Sequence, residues 1–460
     1  GKPFWGGTYF PPEARMGRPG FTDVLQSVHD TYKAKPDVVN SNVRALEGAM
    51  EELSSAKPGD PNVLSQTLID DICDQLLTYM DREKGGMRGA PKFPNVSLLN
   101  MLWRAYTRRG EQAFKSIVLL TLKEMGDGGI YDHIGGGFAR YSVDENWHVP
   151  HFEKMLYDNA LLLDLMTEAW RDTHDPTLER KIRETIDWAR RELMVNAKGS
   201  KKTAAFGSSL DADSIGPAGK SEEGAYYTWT EAEIDEVLDA NTARLFKQAY
   251  NIRPDGNWAE GTQIRHRHGR NEGINILYRA QQDDKGELAD LEEVLINAGT
   301  ALLTAREKRD RPFYDDKVLT DWNGMMICAL AHASRIFGEP DWLKSAENAF
   351  AFITDQCAKD KNGRLYHSWR EGKARHNALA DDYAFMISAA LALYEVTGKN
   401  IYRDKAIAWA GIMKDDFWDE KEGGFFQTSE DSNDVMLCPK IVADSAVPSA
   451  NGQMAENLPR

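Results

Sequence analysis

Cysteine is scarce here: four in 460 residues, at Cys73, Cys328, Cys357 and Cys438, with no Cys-x-x-Cys among them. That spacing excludes a disulfide-stapled scaffold and a cysteine zinc site, and it leaves the reduced, buried thiols of a cytoplasmic protein. Positive charge is also in deficit. Lys and Arg number 56 against 72 Asp and Glu, a net charge of −16 with both signs mixed along the chain, so no nucleic acid and no membrane surface is expected as a partner. No apolar run reaches the roughly 20 residues a bilayer requires, and no signal-peptide pattern opens the chain. The one basic run, Arg265 to Arg270, is short, and its His266-x-His268 spacing has no third ligand nearby. Neither a metal nor a cofactor is expected.

What the chain does have is helical periodicity. Phe152, Met155, Leu156, Ala160, Leu163, Met166 and Trp170 recur at three- and four-residue steps, the stripe of an amphipathic helix. Pro150 suits the first turn of that helix, which puts His151, Met155 and Asp158 on one face and Glu153 beside them. In front of it lies a loop crowded with Asp132, His133, Arg140, Tyr141 and Trp147, poor core material and good pocket material. Near a helix start His151 is biased toward the neutral base, while a cap that merely ties loop to helix is the plainer reading of His151 and Asp158.

The same pattern returns. Helices over 98–108, 152–170, 322–337 and 382–397 end at Gly110, His174-Asp175-Pro176, Gly338-Glu339-Pro340 and Gly398-Lys399-Asn400. Second helices such as 341–357 and 402–417 follow, and each pair closes on a small-residue, aromatic hairpin at 128–131, 205–207, 363–366 or 423–426. Tandem helical hairpins of this kind predict a solenoid or closed toroid. Asp158-Asn159, Trp322-Asn323 and Asp382-Tyr383 fall at matching positions, which puts them on one rim. Elsewhere, Phe4–Pro12 reads as a short strand and turn, 21–33 and 37–53 as helices, and Ala225–Trp229 as a strand. A Thr230…Glu233 capping box opens another helical stretch. Asp211 and Asp213 form an Asp-x-Asp pair without EF-hand spacing. Asp321-Trp322-Asn323-Gly324 suggests close approach of a ligand or of neighbouring backbone. The run Tyr366-His367-Ser368-Trp369-Arg370 supplies a basic, aromatic edge.

The runs GGTYFPP, GAPKFP, the 128–160 stretch, SLDADS, TDWNGMMI and ALADDYAF resemble the spermatogenesis-associated protein 20 family. The resemblance implies an all-α (α/α)6 toroid of the six-hairpin glycosidase type over 63–460, preceded by a thioredoxin-like remnant over 1–56 and a linker over 57–62. It also implies that the family's Cys-x-x-Cys lies upstream of Gly1 and that its last hairpin lies beyond Asn451. Architectural similarity to sugar 2-epimerases and glycoside hydrolases points to a small carbohydrate as the partner molecule.

On their own chemistry, Tyr141, Trp147, Trp322, Trp369 and Tyr383 are candidates to stack on sugar rings. Asp132, Arg140, Glu153, Asn159, Asp213, Asp321, Asn323 and Arg370 are candidates to bind hydroxyls. An epimerase needs a base, His151 or His133. A hydrolase needs two carboxylates, Asp158 with Asp382 or Asp211, whose separation of roughly 5 Å or 6.5–9.5 Å decides between retention and inversion. A cup that binds a glycan or peptide without chemistry is the alternative, and oligomeric state is not legible.

Overall fold

The computed structural model describes the chain apart from residues 1, 16, 55–58, 61–62, 197–203, 217–218, 259–263, 268–269, 280–287, 430–431, 433–434 and 436. Most of the expected linker, and His268 of the basic run, fall outside the described residues. The helices are α1 (Phe21–Ala34), α2 (Pro36–Ser54), α3 (Gln66–Tyr79), α4 (Val96–Arg109), α5 (Gln112–Asp127), α6 (Leu156–Thr173), α7 (Pro176–Glu192), α8 (Glu231–Val237), α9 (Ala240–Ala249), α10 (Leu288–Arg306), α11 (Thr320–Phe337), α12 (Pro340–Gln356), α13 (Ala380–Thr397), α14 (Asn400–Phe417) and α15 (Ala450–Asn457). Strands are two to five residues long and pair locally into small sheets.

The helices form two concentric layers of an α/α toroid. Helices α6, α11 and α13 pack side by side, with α15 against α13 and α4 against α6. Their outer partners α5, α7, α12 and α14 each follow directly in sequence. Composition explains the layering. Along α13 every residue from Asp382 to Leu393 is buried, as expected of a helix apolar on all sides and surrounded by others. The outer α7 carries charge on one face and buries Leu178, Ile182, Ile186 and Trp188 on the other. Glu456 of α15 forms an ion pair with Arg104 of α4, so the first and last of these inner helices meet.

The turns that revealed the repeat do the same job each time. Helices α4, α11 and α13 stop on a left-handed glycine, Gly110, Gly338 and Gly398, with φ of 72°, 69° and 67°, and α6 stops on His174 at 53°. Gly324 meets a different need. A Cβ there would lie 2.8 Å from the Phe385 backbone, so its absence lets α11 and α13 touch. The Thr230–Glu233 capping box is present at the head of α8.

Three local expectations are corrected. Phe4–Pro12 contains no strand, and the strand expected over Ala225–Trp229 is a turn over 224–227 followed by an isolated bridge between Trp229 and Asn275. The helix expected from Phe152 begins at Leu156. Pro150–His151 pairs instead with Tyr141–Ser142, and Lys154–Met155 pairs with Ser209–Leu210. Their backbone groups are therefore spent on partners that local periodicity cannot reveal, and His151 is a strand residue rather than a member of a helix first turn.

Candidate active site

The rim of the toroid is built by one device used repeatedly. Asn159, on the first turn of α6, accepts the Phe138 N–H at 2.7 Å and donates to the carbonyls of Phe138 and Met155 at 3.0 and 2.9 Å. Asn323 on α11 does the same for Phe206 and Leu319, all at 2.9 Å. Asn451 on α15 does it for Phe425 and Ile441, at 2.7 to 2.9 Å. On α13 the phenol oxygen of Tyr383 accepts the Leu365 N–H at 3.1 Å. Helices α6, α11, α13 and α15 are thereby each stapled to an incoming hairpin segment in the same register.

That register decides which side chains meet. Two residues beyond each stapled position stand Arg140, Ser208, His367 and Gln427, and one residue before each staple stand Asp158, Trp322, Asp382 and Ala450. Removing a staple is expected to be costly. Asn323→Ala leaves the buried N–H and carbonyl of Phe206 without the amide that satisfies them, so urea unfolding is expected to show a loss of ~2–4 kcal/mol.

The densest chemistry lies between α11 and α13. Asp382 is fully buried. One of its oxygens accepts the Asp321 N–H at 3.0 Å, the other accepts the Leu379 N–H at 2.7 Å, and the His367 Nδ1 lies 3.0 Å from the latter. Burial alone would lower the His367 pKa, but the Asp382 charge and hydrogen bond outweigh it and carry it up to about 9. Asp321, 8% exposed, is pushed up to about 8, first by burial and then by the neighbouring Asp382 charge. One donor atom from each of the three side chains lies within 4.8 Å of the others. Such a set can trade protons, and it also has the ligand types of a divalent cation site.

Around this trio stand Trp322, half-buried and edge-on to Tyr157 at 4.7 Å, and Asp381, whose carboxyl accepts from Gln427 and is raised by burial. On the α6 side, Asp158 is 7% exposed with one oxygen lacking a hydrogen-bond partner. Burial holds its carboxyl well above the usual carboxylate range, although the Arg140 charge opposes the shift. Arg140 itself pairs with Glu153 at 2.9 Å.

Several residues expected at the site are committed elsewhere. Asn159, Asn323 and Tyr383 are the staples. Trp147 is fully buried and donates its indole N–H to the Lys84 carbonyl at 2.8 Å, and Trp369 packs edge-on to Phe352. His133 is sealed between Tyr131 and Tyr250 with Nε2 on the Gly128 carbonyl at 2.9 Å, and burial drives its pKa well down. Asp132 is buried against Lys154 and Arg306, each at 2.8 Å. His151 stacks on Tyr141 and is held by Glu223 at 2.8 Å, a bond that raises its pKa. Arg370 pairs with Asp316 at 2.6 Å, while Asp211 and Asp213 are exposed, Asp211 accepting the Asp213 N–H and Asp213 the Ser221 hydroxyl. The sequence reading omitted His367, Asp381 and Gln427 from the candidates. Superposing Leu365-Tyr366-His367 on Phe138-Ala139-Arg140 would have found His367.

The fold and this rim define an α/α toroid of the six-hairpin glycosidase class. Residues 278–438 match the glycosyl hydrolase family 76 profile, and residues 1–51 match a family of unknown function, DUF255, of thioredoxin DsbH type. The whole chain is 32% identical to spermatogenesis-associated protein 20 of Rattus norvegicus and of Homo sapiens, spanning 61% of their length. It is also 32% identical to an uncharacterised protein of Caenorhabditis elegans, spanning 64% of it. Over its whole length the chain is thus related to the spermatogenesis-associated protein 20 family. Among solved structures it is similar to a D-mannose isomerase at 10% identity and TM-score 0.47, over 80% of this chain and 76% of that one. It is also similar to a family 76 α-mannanase of Bacteroides thetaiotaomicron at 10% identity and TM-score 0.43, over 78% and 74%. No helix among the described residues is long and apolar enough to cross a membrane.

Proposed function

We propose that the chain hydrolyses a glycoside at the α11–α13 rim, with Asp321 as the proton donor. The observation that carries this reading is a buried carboxyl, Asp321, set beside a second one, Asp382. Asp321 keeps its proton up to about pH 8, first because it is buried and then because the Asp382 charge lies beside it, and the Asp382 carboxyl itself accepts the Asp321 and Leu379 N–H groups. A carboxyl that is still protonated at neutral pH is what general-acid cleavage of a glycosidic bond requires. Asp321 gives its proton to the departing sugar oxygen. In this reading Trp322 offers a ring face to the sugar, Asp381, half-buried beside Asp382, faces the anomeric carbon, and a water adds at that carbon and returns a proton to Asp321. Asp382 acts through its neighbours, holding His367 as a cation and Asp321 as an acid. The segment that matches the family 76 profile contains all of these residues.

A 2-epimerase finds less support. Of its candidate bases, His133 is sealed, His151 is tied to Glu223, and His367 carries its proton to about pH 9. The discriminating experiment is a proton NMR time course in deuterium oxide, with a panel of nitrophenyl glycosides, oligosaccharides and free sugars. New anomeric signals from a glycoside are expected. Deuterium appearing at C2 of a free sugar would instead establish epimerisation. Saturable binding without turnover would move the reading to a glycan-binding cup.

A further inference from the structure

Away from the rim, polar groups without partners gather in one place. A cavity of about 190 Å³ lies where α7 and α10 end, beside the 224–227 turn and the sheet joining 154–155, 209–210 and 314–315. Among the described residues, four side-chain donors on its lining have no acceptor: the Trp188 indole N–H, the Tyr226 and Tyr227 hydroxyls, and the Arg306 Nε–H. These side chains are 1%, 4%, 9% and 2% exposed. Burying even one such donor bare is costly, and here four share one hollow.

The nearby acceptors are already used. Asp132 accepts from both terminal nitrogens of Arg306, from Lys154 Nζ and from the N–H groups of Ile134 and Gly135. Glu192, its side chain equally buried, is held by Arg191 at 2.8 Å and Arg311 at 2.7 Å. What the cavity wants is therefore an acceptor brought from outside. Around its lining three cations, Lys154, Arg306 and Arg311, face two anions, Asp132 and Glu192, which leaves a surplus of one positive charge. Leu210, Pro312 and the aromatic rings make the remaining wall apolar.

The geometry points to a binding site for a small organic carboxylate, its oxygens among the four donors and its apolar body against Leu210 and Pro312. The volume corresponds to about six waters, at roughly 30 Å³ each, which suits a molecule the size of benzoate or a short hydroxy acid. Inorganic phosphate shares the acceptor chemistry, but it brings about twice the charge and no apolar body. The site stands apart from the rim carboxylates, so it does not depend on the glycoside reading.

Calorimetric titration of the full chain with benzoate, lactate, phosphate and benzamide tests it. Benzoate or lactate is expected to saturate a single site, with phosphate and the neutral amide at least ~10-fold weaker. The double change Tyr226→Phe and Tyr227→Phe deletes two unpartnered hydroxyls. It is expected to weaken the carboxylate at least ~10-fold while leaving the melting temperature no lower. Should that pair unfold, Tyr226→Phe alone gives the same readout. Equal binding of benzamide, tighter binding of phosphate, absence of any binding, or unchanged binding by the folded variant would each overturn the assignment.

Discussion

Asp321→Asn is expected to lower kcat/KM for a cleavable glycoside by ~10³-fold, within the range found when a positioned general acid is lost. The fold should survive, because the native group is already uncharged at neutral pH and the amide is its neutral isostere. The pH profile gives an independent check. With Asp321 as the acid, activity should fall as pH rises through about 8. Asp382→Asn removes the charge that raises Asp321, so in that variant the same limb should move to lower pH. A limb that stays in place in Asp382→Asn would sink the assignment.

Stability carries the same signature. The folded-state values of both Asp321 and His367 lie above their unfolded ones. Their contribution is therefore fully present below the unfolded values and is lost as pH rises through about 8 and 9. Urea midpoints measured at pH 7 and pH 9.5 should show this fall, and Asp321→Asn should reduce it.

The largest loss of stability is expected at Asp132, outside the proposed reaction. Its carboxylate binds the Arg306 guanidinium through both oxygens, at 2.8 and 2.9 Å, and Lys154 at 2.8 Å, with all three side chains at most 7% exposed. Asp132→Ala leaves two buried cations without their carboxylate, and a cost of ~3–5 kcal/mol in urea unfolding is expected. A cost under ~1 kcal/mol would mean that water reaches the cluster. Burial alone would raise this carboxyl, yet Arg306 and Lys154 hold it well below the usual carboxylate range. Its contribution is accordingly present above the ordinary Asp value and lost as pH falls below it. The cluster joins the 132–137 loop, the strand leading into α6 and the end of α10, so its loss should also loosen the rim.

Much of this architecture was legible without coordinates. Gly110, His174, Gly338 and Gly398 marked four helix ends because a left-handed residue is needed to stop a helix, and that need is local. The equivalence of Asp158-Asn159, Trp322-Asn323 and Asp382-Tyr383 was also legible, since a repeat announces itself by spacing. What those positions do was not. An asparagine at a helix start reads equally as a sugar ligand, a cap or a staple. Only the approach of Phe138, 21 residues away, or of Phe206, 117 residues away, shows that the amide is spent on backbone.

The acidic centre was hidden for the same reason. Asp321, His367 and Asp382 are separated in sequence by 46 and 15 residues, and nothing in any one segment makes Asp321 an acid at neutral pH. That property comes from burial and from a second carboxylate brought close by the packing of α11 on α13. Periodicity and turn residues are short-range signals and suffice to lay out helices, their ends and their repeat. Proton affinity depends on which charges share a dry space, and in this chain those charges meet only when the ring of helices is assembled.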